Sequence, residues 1–245
     1  MTVNSYRAMS ADHSFFKSAF SVDCVIFGFD EADLKVLLIK TDKPPFLGYW
    51  SLVGDLVHPE EDLDEAAARV LKDRTGLEDV FLEQVETFGK VNRHPNGRVI
   101  TIAYYSLIKI QDYELATENL NNEASWHNID ELDQLAYDHA EILASCRQRL
   151  KSKVRHQPIG FELLPPKFTL TELQHLYQAV LGEKLDKRNF RKKVLNMGIL
   201  EELGEYQTGV AHRPAKLFKF DPDRYQEAKA NGLVFELKAP IVRKK

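Results

Sequence analysis

Lys187, Arg188, Asn189, Arg191 and Lys192 lie in one short stretch, and their side chains suit gripping a polyanion and reading base edges. Arginine can pair with guanine O6 and N7, and asparagine with adenine N6 and N7. The lysines suit phosphate, a contact that fixes register without reading sequence. A basic run is most often a solvated face, so the elements that present it decide its meaning. Asp186 is placed to cap a helix over KRNFRKKVLNMG, which stops at Gly198. Phe190, Val194 and Leu195 are expected to face the core, with Lys187, Arg188, Arg191 and Lys192 turned outward.

The flanking segments supply the context. Thr169-Leu170-Thr171-Glu172 has the pattern of a capping box, opening a helix that sets Leu173, Leu176, Tyr177 and Val180 on one face. ILEELGEY (199–206) and AKLFKF (215–220) read as strands. Thr208, His212, Arg213 and Lys216 lie in or beside the loop between them. Helix, tight link, basic helix and hairpin make a winged helix-turn-helix. Its second helix would enter the major groove while the hairpin tracks the backbone or the minor groove. The partner this implies is double-stranded operator DNA, held at two palindromic half-sites by a homodimer.

Charge is divided along the chain. From Lys151 onward there are 19 Lys and Arg against 11 Asp and Glu, a net +8, which leaves −12 for the remainder of a chain whose total is −4. Such a division points to parts with different partners. The two cysteines, Cys24 and Cys146, exclude a disulfide scaffold and read as small apolar residues in a reducing, cytoplasmic compartment. No apolar run reaches the length of a membrane span, and the polar first residues do not form a signal peptide.

The acidic part reads as a mixed α/β domain. Strands are expected at VDCVIFGF (22–29), LKVLLIK (34–40), YWSLV (49–53), DVFLEQVETF (79–88), RVITIAYYSLIKI (98–110) and near 123–129. Helices are expected at 62–76, closed by Gly76, and at about 139–152. We divide the chain into a loose tail over 1–17, a domain over 18–155 and the winged helix-turn-helix over 156–245, the Pro- and Gly-containing QPIGFELLPPKF (157–168) marking the second boundary.

GDLVHPEEDLDEAAARVLKDRTGL (54–77) resembles the Nudix box, a strand–loop–helix signature. Glu61, Arg69, Leu71, Gly76 and Leu77 fall on its positions, while Gly54 stands one residue early. The resemblance implies a Nudix fold, a mixed sheet flanked by helices. In active members glutamates on one helix face hold Mg²⁺ against a pyrophosphate. Here Val70 stands for the glutamate after the arginine, and Asp73 and Arg74 stand for the glutamate pair. Magnesium wants hard oxygen ligands, valine offers none, and Arg74 brings a positive charge. The fold and pocket are expected to persist without catalysis, although Glu83 or Glu86 could supply carboxylates from outside the box.

ETFGKVNRHPNGRVITIAYY (86–105), QPIGFELLP and DKRNFRKKV extend the resemblance, which reaches from about residue 20 to 220, to the Nudix-related transcriptional regulators of the NrtR family. That resemblance implies a repressor of NAD-metabolism genes with ADP-ribose as effector and no required cofactor. A sister branch senses L-arabinose, and an active ADP-ribose pyrophosphatase with a nucleic-acid-binding appendage is the other alternative. For a diphosphate, Arg93 and Arg98 flank a turn and could reach one anion together. For adenine, Trp50, Phe88, Tyr104 and Tyr105 are candidate walls. Asp138-His139 is expected to open a helix near the rim, most simply as a cap.

Overall fold

The computed structural model describes residues 18–30, 33–113, 115, 123–211, 213–233 and 235. The expected tail over 1–17 and His212 lie outside the described residues. Strand β1 (Ala19–Phe29) is the spine of the first part. It pairs in parallel along its length with β6 (Val99–Lys109), Ala19 opposite Val99 through Phe29 opposite Lys109. Its other edge is shared in antiparallel register. The first half takes β4 (Val53–Leu56) and the second half takes β2 (Leu34–Lys40). Around these lie β3 (Trp50–Ser51) and β7 (Ala124–Asn128) on β2, and β5 (Glu83–Phe88) on β6. The expected YWSLV strand is split in two. The strand expected from Asp79 begins only at Glu83, after the left-handed backbone of Asp79.

Strand alternation sorts the core. Val22, Cys24 and Ile26 join Ala66, Ala67 and Val70 of helix α1 (Leu63–Thr75) in one buried cluster. Val25, Phe27 and Phe29 join Ile142, Cys146 and Leu150 of helix α2 (His139–His156) in the other. Ser21 and Asp23 share the α2-facing parity but lie beyond the reach of the apolar layer, at the end of the sheet where a cavity opens. Helix α1 is fixed at both ends. Asp62 and Glu65 form a capping box, and Gly76 closes the helix at φ 78°, a conformation that glycine adopts without strain.

The second part follows the expected order. Thr169 and Glu172 cap α3 (Leu170–Leu181) reciprocally, and Leu173, Leu176, Tyr177 and Val180 are all buried. Asp186 accepts from the backbone N–H of Asn189 to open α4 (Lys187–Asn196). Strands β8 (Leu200–Tyr206) and β9 (Lys216–Phe220) pair as a hairpin, and α5 (Pro222–Ala230) follows. Leu195 is a correction: it is 46% exposed, and Met197 takes the third core position with Phe190 and Val194. A step of five residues turns about 140° around a helix, whereas seven return nearly to the start.

One helix runs from the first part into the second. Helix α2 does not stop near 152 but runs to His156, and its Leu150 and Val154 belong to the same buried cluster as Phe161, Leu173 and Tyr177. Arg155 donates to Glu183 at 2.5 Å, just past the end of α3. A Cβ at Gly182, the C-cap of α3, would meet Lys151 Nζ at 3.3 Å and Arg147 at 3.5 Å. Cations beside the last carbonyls of a helix complement its dipole. Among the described residues, no helix is long and apolar enough to cross a membrane.

Candidate functional site

A cavity of about 400 Å³ opens at the end of the sheet where β1 and β6 begin. Its floor holds Ser21, Asp23 and Thr101, with Leu52 and His139 beside them, and its sides include Lys43, Asp55, Arg74, His94, Arg98 and Tyr137. The first turn of α2 forms part of this wall. Arg93 donates through Nε and a terminal nitrogen to the two oxygens of Asp138, at 2.7 and 2.6 Å, and through its other nitrogen to Thr101 Oγ1. The Arg93 side chain is only 4% exposed. Its bidentate geometry leaves little freedom to either partner.

His139 contributes a second anchor, its Nδ1 accepting from the backbone N–H of Leu52 at 2.9 Å. Burial holds its pKa below the ordinary histidine value, so the neutral ring carries its proton on Nε2. That nitrogen is 3.7 Å from Asp23 Oδ2, and an Arg93 nitrogen is 3.9 Å from the same oxygen. Burial pushes the Asp23 carboxyl up, opposed by the charges of His139 and Arg93. Above the floor, the His94 and Tyr137 rings stack with centroids 5.1 Å apart and planes 9° apart, and Phe46 packs on Tyr137 at 4.6 Å.

Arg74 of the box helix lines this cavity. Arg69 clamps the loop by donating to both oxygens of Glu61, at 2.7 and 2.6 Å, and to the carbonyl of Leu56 at 3.0 Å. Those bonds hold the Glu61 carboxyl down at about 2. Arg74 pairs with Asp55. Burial pushes the Asp55 carboxyl up, but its hydrogen bonds from Arg74 and the Leu56 N–H bring it below its ordinary value. Asp73 lies 3.7 Å from Arg69.

On α4, Lys187, Arg188, Asn189 and Lys192 are exposed along the first two turns. Arg191 is a correction to the outward set: it is half-buried and donates to Thr171 Oγ1 at 2.8 Å, bracing α4 against the start of α3. Thr208, Arg213 and Lys216 are exposed on the hairpin, with Lys216 paired to Glu202.

Comparison with known proteins places this architecture. The NUDIX domain model matches residues 17–146, and the model of the NrtR DNA-binding winged helix domain matches residues 160–220. The ADPR responsive transcriptional repressor NtrR of Acinetobacter baylyi is 36% identical over 205 residues, covering 82% of this chain and 81% of that protein. The chain belongs to the NrtR family. The crystal structure of Shewanella oneidensis NrtR complexed with a 27mer DNA superposes with TM-score 0.69 at 30% identity, covering 84% of this chain and 95% of that one. The NUDIX domain of the same Shewanella protein, complexed with ADP ribose, superposes with TM-score 0.53 at 28% identity, covering 61% and 99%.

Within that family frame, the metal that a Nudix fold implies does not fit these residues. Val70 is wholly buried among apolar side chains, Arg74 is paired with Asp55, and Asp73 lies beside Arg69. Among the described residues no three His, Cys, Asp or Glu side chains are grouped as a metal ion requires. Glu83 and Glu86 are on β5, tied to Lys153 and Ser145 of α2, and do not line the cavity.

Of the expected ligand residues, Arg93 and Arg98 do line the cavity. Arg93 is held by Asp138, and Arg98 donates to the carbonyls of Gly89 and Lys90. The four aromatic candidates do not line it. Tyr104 points to the α1 face and donates to Asp64 at 2.7 Å. Tyr105 lies farther along the strand beside Glu83, Trp50 packs between Lys40 and His127, and Phe88 packs on the core. The aromatic wall is Tyr137 and His94, both in loops without periodicity. The signal available for them was His94 beside Arg93, and Tyr137 just ahead of Asp138-His139. Asp23 was visible as a lone acid within an apolar strand.

The Arg93 clamp yields a stability test. Arg93→Met leaves Asp138 and Asp23 without their nearest guanidinium, and removing one member of a buried pair costs about 3–5 kcal/mol. Urea unfolding of the full chain should show a loss of that size. A loss below about 1 kcal/mol, the value of an exposed pair, would show that the clamp does not hold α2.

Proposed function

We propose that this chain is an ADP-ribose-responsive transcriptional repressor, a homodimer acting in the cytoplasm on palindromic operators of NAD-metabolism genes. The observation that carries the reading is the course of α2. At its start His139 lines the cavity and Asp138 holds the lining Arg93, and its last turns pack against the head that carries α4. A ligand that changes the setting of Arg93 or His139 therefore acts on the element that positions the head. Such a ligand shifts DNA affinity only through different affinity for the two settings. The membership of the NrtR family supports both ends of this coupling. The cationic flank of Lys43, Arg74 and Arg98 suits a diphosphate better than a neutral sugar.

The same chemistry argues against pyrophosphate hydrolysis. Activation of water and neutralisation of developing charge need a metal centre, and the side chains at the box give it no home. Electrophoretic mobility shifts on operator duplex should show release by ADP-ribose and not by L-arabinose. The same preparation at high concentration with Mg²⁺ or Mn²⁺ should leave ADP-ribose intact. Turnover that Asp73→Asn abolishes would overturn the assignment.

On DNA, Arg188 and Asn189 would read bases and Lys187 and Lys192 hold phosphate, with Thr208, Arg213 and Lys216 contributing from the hairpin. Arg191 acts as a brace. Arg188→Ala should cost about 1–3 kcal/mol per half-site on operator and much less on scrambled duplex. Lys192→Ala should weaken both and flatten the salt dependence. Equal losses for Arg188→Ala on the two duplexes would move Arg188 to the phosphate set.

A further inference from the structure

Helix α3 carries a polar seam toward α4. Thr171, Gln174 and Gln178 stand at i, i+3 and i+7, on one side of the helix. Thr171 takes the Arg191 guanidinium, from the second turn of α4. The two glutamines act on the link ahead of α4. Gln174 Nε2 donates to the carbonyl of Leu185 at 2.9 Å, and Gln178 Oε1 accepts from the N–H of Leu185 at 2.8 Å. A carbonyl only accepts and a backbone N–H only donates, so these bonds fix which amide atom faces Leu185 in each case.

Leu185 stands one place ahead of the N-cap, outside the helical ladder, and its main-chain groups must find partners elsewhere. The glutamines satisfy both. Gln174 is 7% exposed, among the buried Leu173, Leu176, Tyr177 and Val180, where an amide without such a partner would be costly. Gln178 holds the start of the same link with its main chain, its carbonyl accepting from Gly182 at 2.8 Å. The next residue, Asp186, accepts from Asn189 N–H through its side chain and from Phe190 N–H through its carbonyl. The glutamines therefore hold the residue from which α4 starts. Leu185 and Arg191, the two fastened points, lie on either side of Arg188 and Asn189.

We propose that Gln174 and Gln178 are positioning residues for operator reading, a role that rests on the base-reading assignment of Arg188 and Asn189. Through Leu185 they set the angle at which α4 offers those side chains to base edges. Base contacts are directional and fail when the helix tilts. Phosphate contacts by Lys187 and Lys192 are largely Coulombic and follow the tilt. Loosening the link should therefore cost discrimination more than affinity.

Gel-shift titration of the full chain tests this, on an operator duplex selected from random DNA by the wild-type protein and on a scrambled duplex. The readout is the ratio of the two affinities. Gln178→Met keeps the length of the side chain and leaves the Leu185 N–H unpaired. The ratio should fall roughly tenfold, the size expected for a lost buried hydrogen bond. Gln178→Glu keeps an oxygen for Leu185, and Gln174 Nε2, 3.5 Å from that oxygen, can donate to it as well. Its ratio should stay within about twofold of wild type, since the added charge weakens both duplexes alike. Gln174→Leu should lower the ratio as Gln178→Met does. If Gln174→Leu fails to fold, the half-buried Gln178 pair decides. Equal losses on both duplexes in Gln178→Met would overturn the proposal and mark a link held for stability alone. So would a ratio in Gln178→Glu as low as in Gln178→Met. Arg188→Ala separates the two readings. A ratio unchanged in Arg188→Ala overturns base reading by that residue. A ratio lowered in Arg188→Ala and untouched in Gln178→Met overturns the glutamine clamp.

Discussion

The first turn of α2 is pinned to the sheet by two contacts of different kinds. Arg93 holds the Asp138 carboxylate with two parallel hydrogen bonds, and His139 takes the Leu52 N–H on its Nδ1. The Arg93 and His139 side chains are both buried, so neither contact is exchanged cheaply for water. The rest of the helix is a rigid rod of 18 residues, about 27 Å at 1.5 Å per residue. Its far end shares a core with α3, and α3 sets α4. The direction in which the recognition helix points is thus fixed by packing that starts at the cavity wall.

The box shows the same economy of parts put to another use. Arg69, Glu61 and the capped ends of α1 keep the loop in place over β4, so the scaffold of a pyrophosphate site survives. The positions that would bring oxygen to a metal have gone to other tasks: Val70 fills the α1 core, and Arg74 pairs with Asp55 at the cavity edge. Arg74 reaches the cavity edge from α1 already paired with Asp55.

Much of this was legible in the residues because local rules and the global fold agree. The Thr169–Glu172 capping box, Gly76 and the apolar stripe of α3 fall where sequence reasoning puts them. Failures trace to information that spacing does not hold. Tyr104 and Thr101 lie in one strand, but their parity sends the tyrosine to α1 and the threonine to the cavity. Arg191 is basic and on the basic helix, yet its partner Thr171 lies twenty residues away and only the helix crossing reveals it. Leu195 was grouped with Phe190 and Val194 by helical spacing, but five residues on from Phe190 it is turned away from the core. Helix α5 was missed although Asp221-Pro222, an N-cap followed by proline at the first helical position, is a start signal. The end of α2 was drawn near 152, whereas the helix runs to His156 and its Lys151 and Arg155 lie against the end of α3.

The central claim is that cavity and recognition helix are two ends of one equilibrium, and linkage makes it measurable from either end. ADP-ribose affinity of the full chain, titrated alone and again with saturating operator duplex, tests it most directly. Binding should weaken on operator by the same factor by which ADP-ribose weakens operator binding, and scrambled duplex at the same salt should have little effect. An ADP-ribose affinity identical on free and operator-bound protein would contradict the coupling through α2.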